Sequence, residues 1–175
     1  MALNTVIAGR AWLYSHNVGR QAVSGMGFSQ PVSAAITKNG TLYVANRSGE
    51  QNPSMRITKC TMDHEFISEF GRQGAVYGGN SSSLFTWLTA VALDSDEKVY
   101  TSDEWRCLIH VFDSEGNYLN TWGEKGDNEG ELNGSAGICF DSDENLWIVN
   151  SFNSRIQKFS KDGKYISGFG SKGSG

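Results

Sequence analysis

The sequence predicts an all-β protein in which one four-stranded antiparallel unit is repeated three times. Three observations lead there. The stretch "DSDENLWIVN" (141–150) returns 47 residues earlier as "DSDEKVYTSD" (94–103), and its surroundings return with it. Each copy contains four short runs of strand character parted by glycine and Asx turns. No capped helical pattern of about ten residues occurs anywhere. With 21 glycines, two prolines and 11% aromatic residues, the composition suits sheets joined by glycine turns. Four antiparallel strands repeated every 40 to 50 or so residues are the pattern of a β-propeller blade.

The repeat fixes the elements in order. Tyr100 aligns with Trp147, Ile109 with Ile156, Phe112 with Phe159, Gly116 with Gly163, and Trp122 with Phe169, each pair 47 apart. A third copy lies upstream in Leu42, Tyr43, Ile57, Phe66, Phe70 and Gly71, with 52 residues from Ile57 to Ile109. In the last copy the strands fall on "GICF" (137–140), "LWIVN" (146–150), "RIQKF" (155–159) and "KYISGF" (164–169). The second run is apolar almost throughout, as in a strand covered on both sides, and the third and fourth alternate. At the front, Val18, Gly19 and Arg20 lie 52 residues before Phe70, Gly71 and Arg72, so residues 11–22 read as the end of a fourth strand. The chain thus divides into an N-terminal segment with an outer strand (1–26) and blades over 27–74, 75–126 and 127–175.

"NSRIQKFSKDGKYISGFG" (153–170) resembles the core of an NHL repeat. "GFSQPVSAAITKNGTLYVAN" (27–46) resembles its opening half, with Pro31 before the first strand. "EWRCLIHVFDSEGNYLNTWGEKG" (104–126) is a looser copy, with Leu108 where the motif has arginine. The resemblance, over about residues 27 to 173, implies half of a six-bladed propeller. Three blades against six lead to the expectation that two copies close one ring by homodimerisation, or that the chain is the first half of a longer parent. A half ring would otherwise expose two apolar blade faces.

The "DSDE" clusters lie in the hairpin between first and second strands. Asp and Ser favour such turns because their side chains bond nearby backbone groups. A calcium loop would need a glycine hinge and a later glutamate, which are missing, so both clusters read as turns. They share one face with the 3–4 hairpins. The opposite face gathers the 2–3 loops and the blade-to-blade connections, including two insertions in "NRSGEQNPSMR" (46–56) and "GRQGAVYGGNSSSLFTW" (71–87). Long loops on a rigid scaffold are where binding resides. The candidate ligand-binding residues are therefore Arg47, Glu50, Asn52, Tyr77, Asn80, Trp87, Asp103, Trp105, Arg106, Asn150, Phe152 and Asn153.

The resemblance leaves room for enzymes as well as scaffolds, since related propellers include metal-dependent lyases and lactonases. His16, His64 and His110 are not at innermost-strand positions, so they are not expected to converge at the zinc–nitrogen distance of about 2 Å. Asp103 and Asn150 end second strands at equivalent positions, where a lactonase-type propeller would hold a divalent cation in its channel. The favoured reading of the two is that they cap the 2–3 loop. No G-x-S-x-G or similar nucleophile motif is present. The reading favours a non-catalytic scaffold for a protein or peptide, without cofactor. A net charge of −4, with eight acids and three bases in 84–126, argues against nucleic acid as the main partner, although Arg47, Arg72, Arg106, Trp87 and Trp105 offer a little of that chemistry. No run approaches the roughly 18 apolar residues of a membrane span. Cys60, Cys107 and Cys139 form no CxxC pair and read as reduced core thiols. With no visible signal peptide, the setting expected is cytoplasmic.

Overall fold

A short antiparallel hairpin, β1 (Asn4–Ile7) and β2 (Arg10–Leu13), opens the computed structural model, which describes residues 4–7, 10–13, 16–48, 54–73 and 84–173. The first blade follows as β3 (Pro31–Ile36), β4 (Thr41–Asn46), β5 (Arg56–Thr61) and β6 (Phe66–Phe70). A parallel pair, β7 (Arg72–Gln73) and β8 (Leu84–Phe85), carries the chain into the second blade. That blade is β9 (Leu88–Leu93), β10 (Val99–Asp103), β11 (Leu108–Phe112) and β12 (Tyr118–Trp122). The third is β13 (Ser135–Phe140), β14 (Leu146–Asn150), β15 (Arg155–Phe159) and β16 (Tyr165–Phe169). Each blade is a four-stranded antiparallel sheet with strands in chain order, as the repeat predicts. Among the described residues the one helical turn is a 3₁₀ turn, Ser151–Asn153. The fourth strand of a blade expected within 11–22 is not what β2 forms: β2 pairs with β1 in a separate two-stranded sheet, and residues 16–20 run as irregular backbone.

Side-chain alternation explains how the blades stack. The innermost strand β9 contacts both β3 and β13, so the second blade is flanked on both sides. Along β10 every residue is buried. Val99 points into a cluster with Tyr43, Ala45, Ile57, Phe85 and Leu88, against blade one. Tyr100, one residue on, points into a cluster with Ile109, Leu132, Leu146, Ile148 and Phe159, against blade three. Each fully buried Leu, Ile or Phe contributes about 1.5–3 kcal/mol, so these two interfaces are the main apolar term in the fold.

Two further features recur at each joint. The residue two past each fourth-strand glycine makes a parallel bridge to the apolar residue before the next first strand: Gln21 with Phe28, Gln73 with Phe85, and Lys125 with Leu132. The aromatic ending the fourth strand also lies over a glycine in the next blade's 3–4 hairpin. A Cβ on Gly116 would fall 2.5 Å from the Phe70 ring, and one on Gly163 2.6 Å from the Trp122 ring. The rings then meet the next blade's third strand, Phe70 with Phe112 at 5.3 Å and Trp122 with Phe159 at 5.5 Å between centroids.

Gly163 and Gly40 share a left-handed backbone (φ 82 and 86), but nothing lies within 4 Å of a Cβ at Gly40. Gly40→Ala is therefore expected to cost only the backbone term, about 1–2 kcal/mol. Gly163→Ala adds the displacement of a packed indole, about 1–3 kcal/mol more. Urea midpoints of the two variants measure the difference; equal losses would mean that Trp122 does not press on the turn.

Candidate ligand-binding face

The face that carries the 2–3 loops is built on one buried position per blade. Asn46, Asp103 and Asn150 end their second strands and are 0% exposed. Each side-chain oxygen accepts the backbone N–H 17 residues upstream: Asn46 from Ser29 at 2.8 Å, Asp103 from Thr86 at 2.6 Å, and Asn150 from Asn133 at 2.7 Å. The two asparagines also donate, Asn46 to the carbonyls of Val44 and Arg56, and Asn150 to that of Glu131. Asp103 has no such donor. It accepts instead from three N–H groups, those of Thr86, Trp87 and Arg106, and His110 Nε2 lies 3.9 Å from its Oδ2. Burial pushes this carboxyl's pKa up, but His110 and the Thr86 and Arg106 N–H groups outweigh it and hold the pKa below the ordinary aspartate value.

This placement corrects the inclusion of Asp103 and Asn150 in the ligand-binding face and agrees with the favoured capping role. Their oxygens are committed to the backbone of the incoming connection, and burial removes them from the accessible surface. They clamp the connection in addition to shaping the 2–3 loop.

Above this base the other candidates come together in part. Trp105 and Phe152 occupy equivalent positions, each two residues past the clamp, and each is 69% exposed. Trp87, 38% exposed, is fixed through its N–H on Asp103 and its carbonyl, which accepts Glu104 N–H at 2.9 Å. The Arg47 guanidinium lies 4.9 Å from the Trp87 ring centroid, donates through Nε to Leu88 O at 3.1 Å, and pairs with Glu104 at 3.5 Å. Arg106 is half-buried, its N–H on Asp103. Asn153 donates to Gly126 O at 2.9 Å and serves the loop itself. Glu50, Asn52, Tyr77 and Asn80 lie outside the described residues.

The "DSDE" clusters are turns. Asp94 accepts the N–H groups of Asp96 and Lys98, and Asp141 those of Asp143 and Asn145. Between the blades, Lys161 bridges Asp94 and Glu144, while Glu144 accepts from Ser95 at 3.0 Å. Lys161 is the main cause that pulls the Glu144 carboxyl down to about 2. The histidines divide: His16 and His64 stack at 6.0 Å between centroids, and His110 is buried beside Phe85. Among the described residues no three His, Cys, Asp or Glu side chains are grouped to hold a metal. Cys60 and Cys107 are buried thiols, but Cys139 is exposed, because alternation along β13 turns its neighbour Ile138 toward blade two.

Two residues that sequence reasoning passed over organise this face. Arg56, at the start of β5, donates to the carbonyls of Ala22 (3.2 Å) and Gly27 (3.0 Å) and pairs with Glu69 at 3.1 Å. Arg155, its equivalent in β15, donates to the carbonyls of Asp127, Asn128 and Glu131. Each arginine grips the connection entering its blade. Blade two has Leu108 there, and the connection entering it carries the insertion.

No protein-family model matches the chain, and neither does any curated protein. Solved structures do match. A catalytically inactive virginiamycin B lyase from Staphylococcus aureus, in a crystal with quinupristin, is 18% identical over 81% of this chain and 41% of its own, with a TM-score of 0.57. The nidogen/laminin complex matches at 10% identity over 93% of this chain and 52% of that one, with a TM-score of 0.62. The WD40 repeats of RRP9 match at 14% identity over 83% and 41%, with a TM-score of 0.56. The chain is thus similar in fold to β-propellers and spans about half, or less, of each one's length.

Asp103→Asn keeps the shape of the clamp but turns one acceptor into a donor that faces backbone N–H. The expected loss is about 2 kcal/mol at neutral pH. Because the folded pKa of Asp103 is lowered, its contribution is full above the unfolded value of 3.8 and is lost as pH falls through the folded value. Urea midpoints across that range should therefore show wild type and variant converging in acid; a constant gap would contradict the ionised clamp.

Proposed function

We propose that the chain is an NHL-type, non-catalytic scaffold that binds a protein or peptide across its 2–3 loop face. Two copies associate to close a six-bladed ring. The observation that carries the binding reading is that Trp105 and Phe152, at equivalent positions in the 2–3 loops, are both largely exposed, with the Arg47–Trp87 stack on the same side of the blades. Exposed aromatics and a stacked arginine on a rigid base are the side chains that dominate binding energy in protein interfaces. The base is rigid because Asp103 and Asn150 fix the backbone beneath these side chains. Arg47 and Glu104 add one charge of each sign, suited to a partner with mixed polar groups. The same commitment of Asp103 and Asn150 weighs against the lactonase-type reading, in which they would bind a divalent cation.

Peptides selected on the wild-type protein from a random displayed library test the binding reading. Trp105→Ala and Phe152→Ala are expected to weaken the selected peptides at least about tenfold. Both variants should keep the wild-type unfolding midpoint, and a chelator should leave binding unchanged. Peptides that bind both variants as well as wild type, or are lost to chelator, would overturn the reading.

A further inference from the structure

Two Asn-Gly pairs occur in the sequence, Asn39-Gly40 and Asn133-Gly134, and the fold treats them in opposite ways. Such a pair leaves the asparagine amide open to attack by its own main chain, because glycine carries no Cβ to shield its nitrogen. The glycine nitrogen bonds to the asparagine Cγ, the Cγ–Nδ2 bond breaks, and ammonia leaves with the proton that the nitrogen gives up. Water then opens the five-membered imide at either carbonyl, leaving an aspartate or a β-linked isoaspartate. No oxidant or catalyst is needed. What decides the rate in a folded chain is whether the pair can turn to bring nitrogen and Cγ together.

Asn39-Gly40 forms the tip of the β3–β4 hairpin. Asn39 is exposed, and nothing lies within 4 Å of a Cβ at Gly40. Asn39 Oδ1 accepts from Thr41 N–H at 3.2 Å and from the Thr37 hydroxyl. A side-chain oxygen bonded to the N–H two residues on lies folded forward across the intervening nitrogen, here that of Gly40. The same two donors draw electrons from the amide carbon, which makes it a better electrophile. Among the described residues no bond holds Nδ2, the group that leaves. Gly40 N–H donates to Thr37 O at 3.1 Å, so the bonds of this pair close within residues 37–41. The tip can open without disturbing a blade.

Asn133-Gly134 is locked. Asn133 N–H donates to the Asn150 clamp at 2.7 Å, its carbonyl accepts Phe152 N–H at 3.0 Å, and its Nδ2 donates to Asp127 at 3.2 Å. Gly134 is buried and its carbonyl accepts Ser151 N–H at 3.1 Å. A Cβ there would fall 2.6 Å from the Phe152 ring. Ring closure at this pair would break the joint that positions blade three.

We propose that Asn39 is a site of self-modification, converted through the imide to an acidic residue while Asn133 is preserved. The aspartate product fits the fold, since Asp96 and Asp143 hold the equivalent positions in blades two and three. The residues that follow them, Glu97 and Glu144, share the left-handed backbone of Gly40 (φ 59 and 62 against 86). Conversion therefore gives the first hairpin the carboxylate that the other two already carry. It adds one negative charge to the face opposite the 2–3 loops. The isoaspartate product instead adds a methylene to the main chain and removes the Oδ1–Thr41 bond.

Peptide mapping of the full chain during incubation in mildly alkaline buffer tests this. The fragment that carries Asn39 should gain about 1 Da and split into aspartyl and isoaspartyl forms. Asn133 should convert at least about tenfold more slowly, because it must wait for the joint to open. In urea the two should convert at similar rates, since both are then plain Asn-Gly. Gly40→Ala, which shields the attacking nitrogen, should slow Asn39 severalfold and leave Asn133 unchanged. Equal rates in the folded chain would overturn the protection assigned to Asn133. Conversion of Asn39 in urea alone would remove the site, because the hairpin bonds would then shield the amide rather than present it. An aspartyl product without its isoaspartyl counterpart would contradict the imide route.

Discussion

A side-chain oxygen at the end of each second strand accepts a backbone N–H 17 residues upstream, and the rest of the structure depends on that bond. It ties the segment that enters a blade to the strand that has just crossed it. In doing so it sets where the first strand starts, at Pro31, Leu88 and Ser135. It also closes the base of the 2–3 loop, so the side chains two residues further on are held outward. A buried N–H without such an acceptor would cost about 1–3 kcal/mol per joint, comparable to an apolar core side chain.

The three joints solve the same problem with different chemistry. In the outer blades an asparagine both accepts and donates, and the third strand answers with Thr58, whose hydroxyl accepts from Asn46 at 3.0 Å, or Gln157, which donates to Glu131 O at 2.9 Å. The middle blade, flanked on both sides, has Asp103 and His110. There the connection turns so that three N–H groups converge, and only a carboxylate has enough acceptor capacity for them. The Arg47–Trp87 stack follows from this, since the Trp87 backbone is fixed by that carboxylate. Structure and the proposed binding chemistry are therefore coupled at one residue: the buried acid fixes the backbone of Trp87, on which Arg47 stacks.

Much of this was legible in the sequence. The 47-residue spacing, widened to 52 and 57 by the two five-residue insertions of the first copy, placed all twelve blade strands, because strand period and burial are local properties that a repeat amplifies. The turn character of "DSDE" was legible for the same reason, since Asx turns close over two to four residues. What escaped depends on where a distant segment passes. Arg56 and Arg155 bond to carbonyls more than 20 residues away, and nothing in their neighbours announces it. Asn150 and Asp103 share position and type with a channel ligand, and only the path of the connection shows that their oxygens are spent. Trp105 and Phe152 were identified from loop position alone, whereas Glu104, which completes the Arg47 pair, gave no signal in the repeat.

The most direct test of the account is amide hydrogen exchange at Ser29, Thr86 and Asn133. All three lie outside the strands, in segments whose amides would ordinarily exchange quickly. If the buried clamps organise the blades, these three N–H groups should exchange as slowly as those in the middle of β10, and only with global unfolding. Exchange at the rate of neighbouring loop amides would contradict the central claim and leave apolar packing alone to set the blade joints.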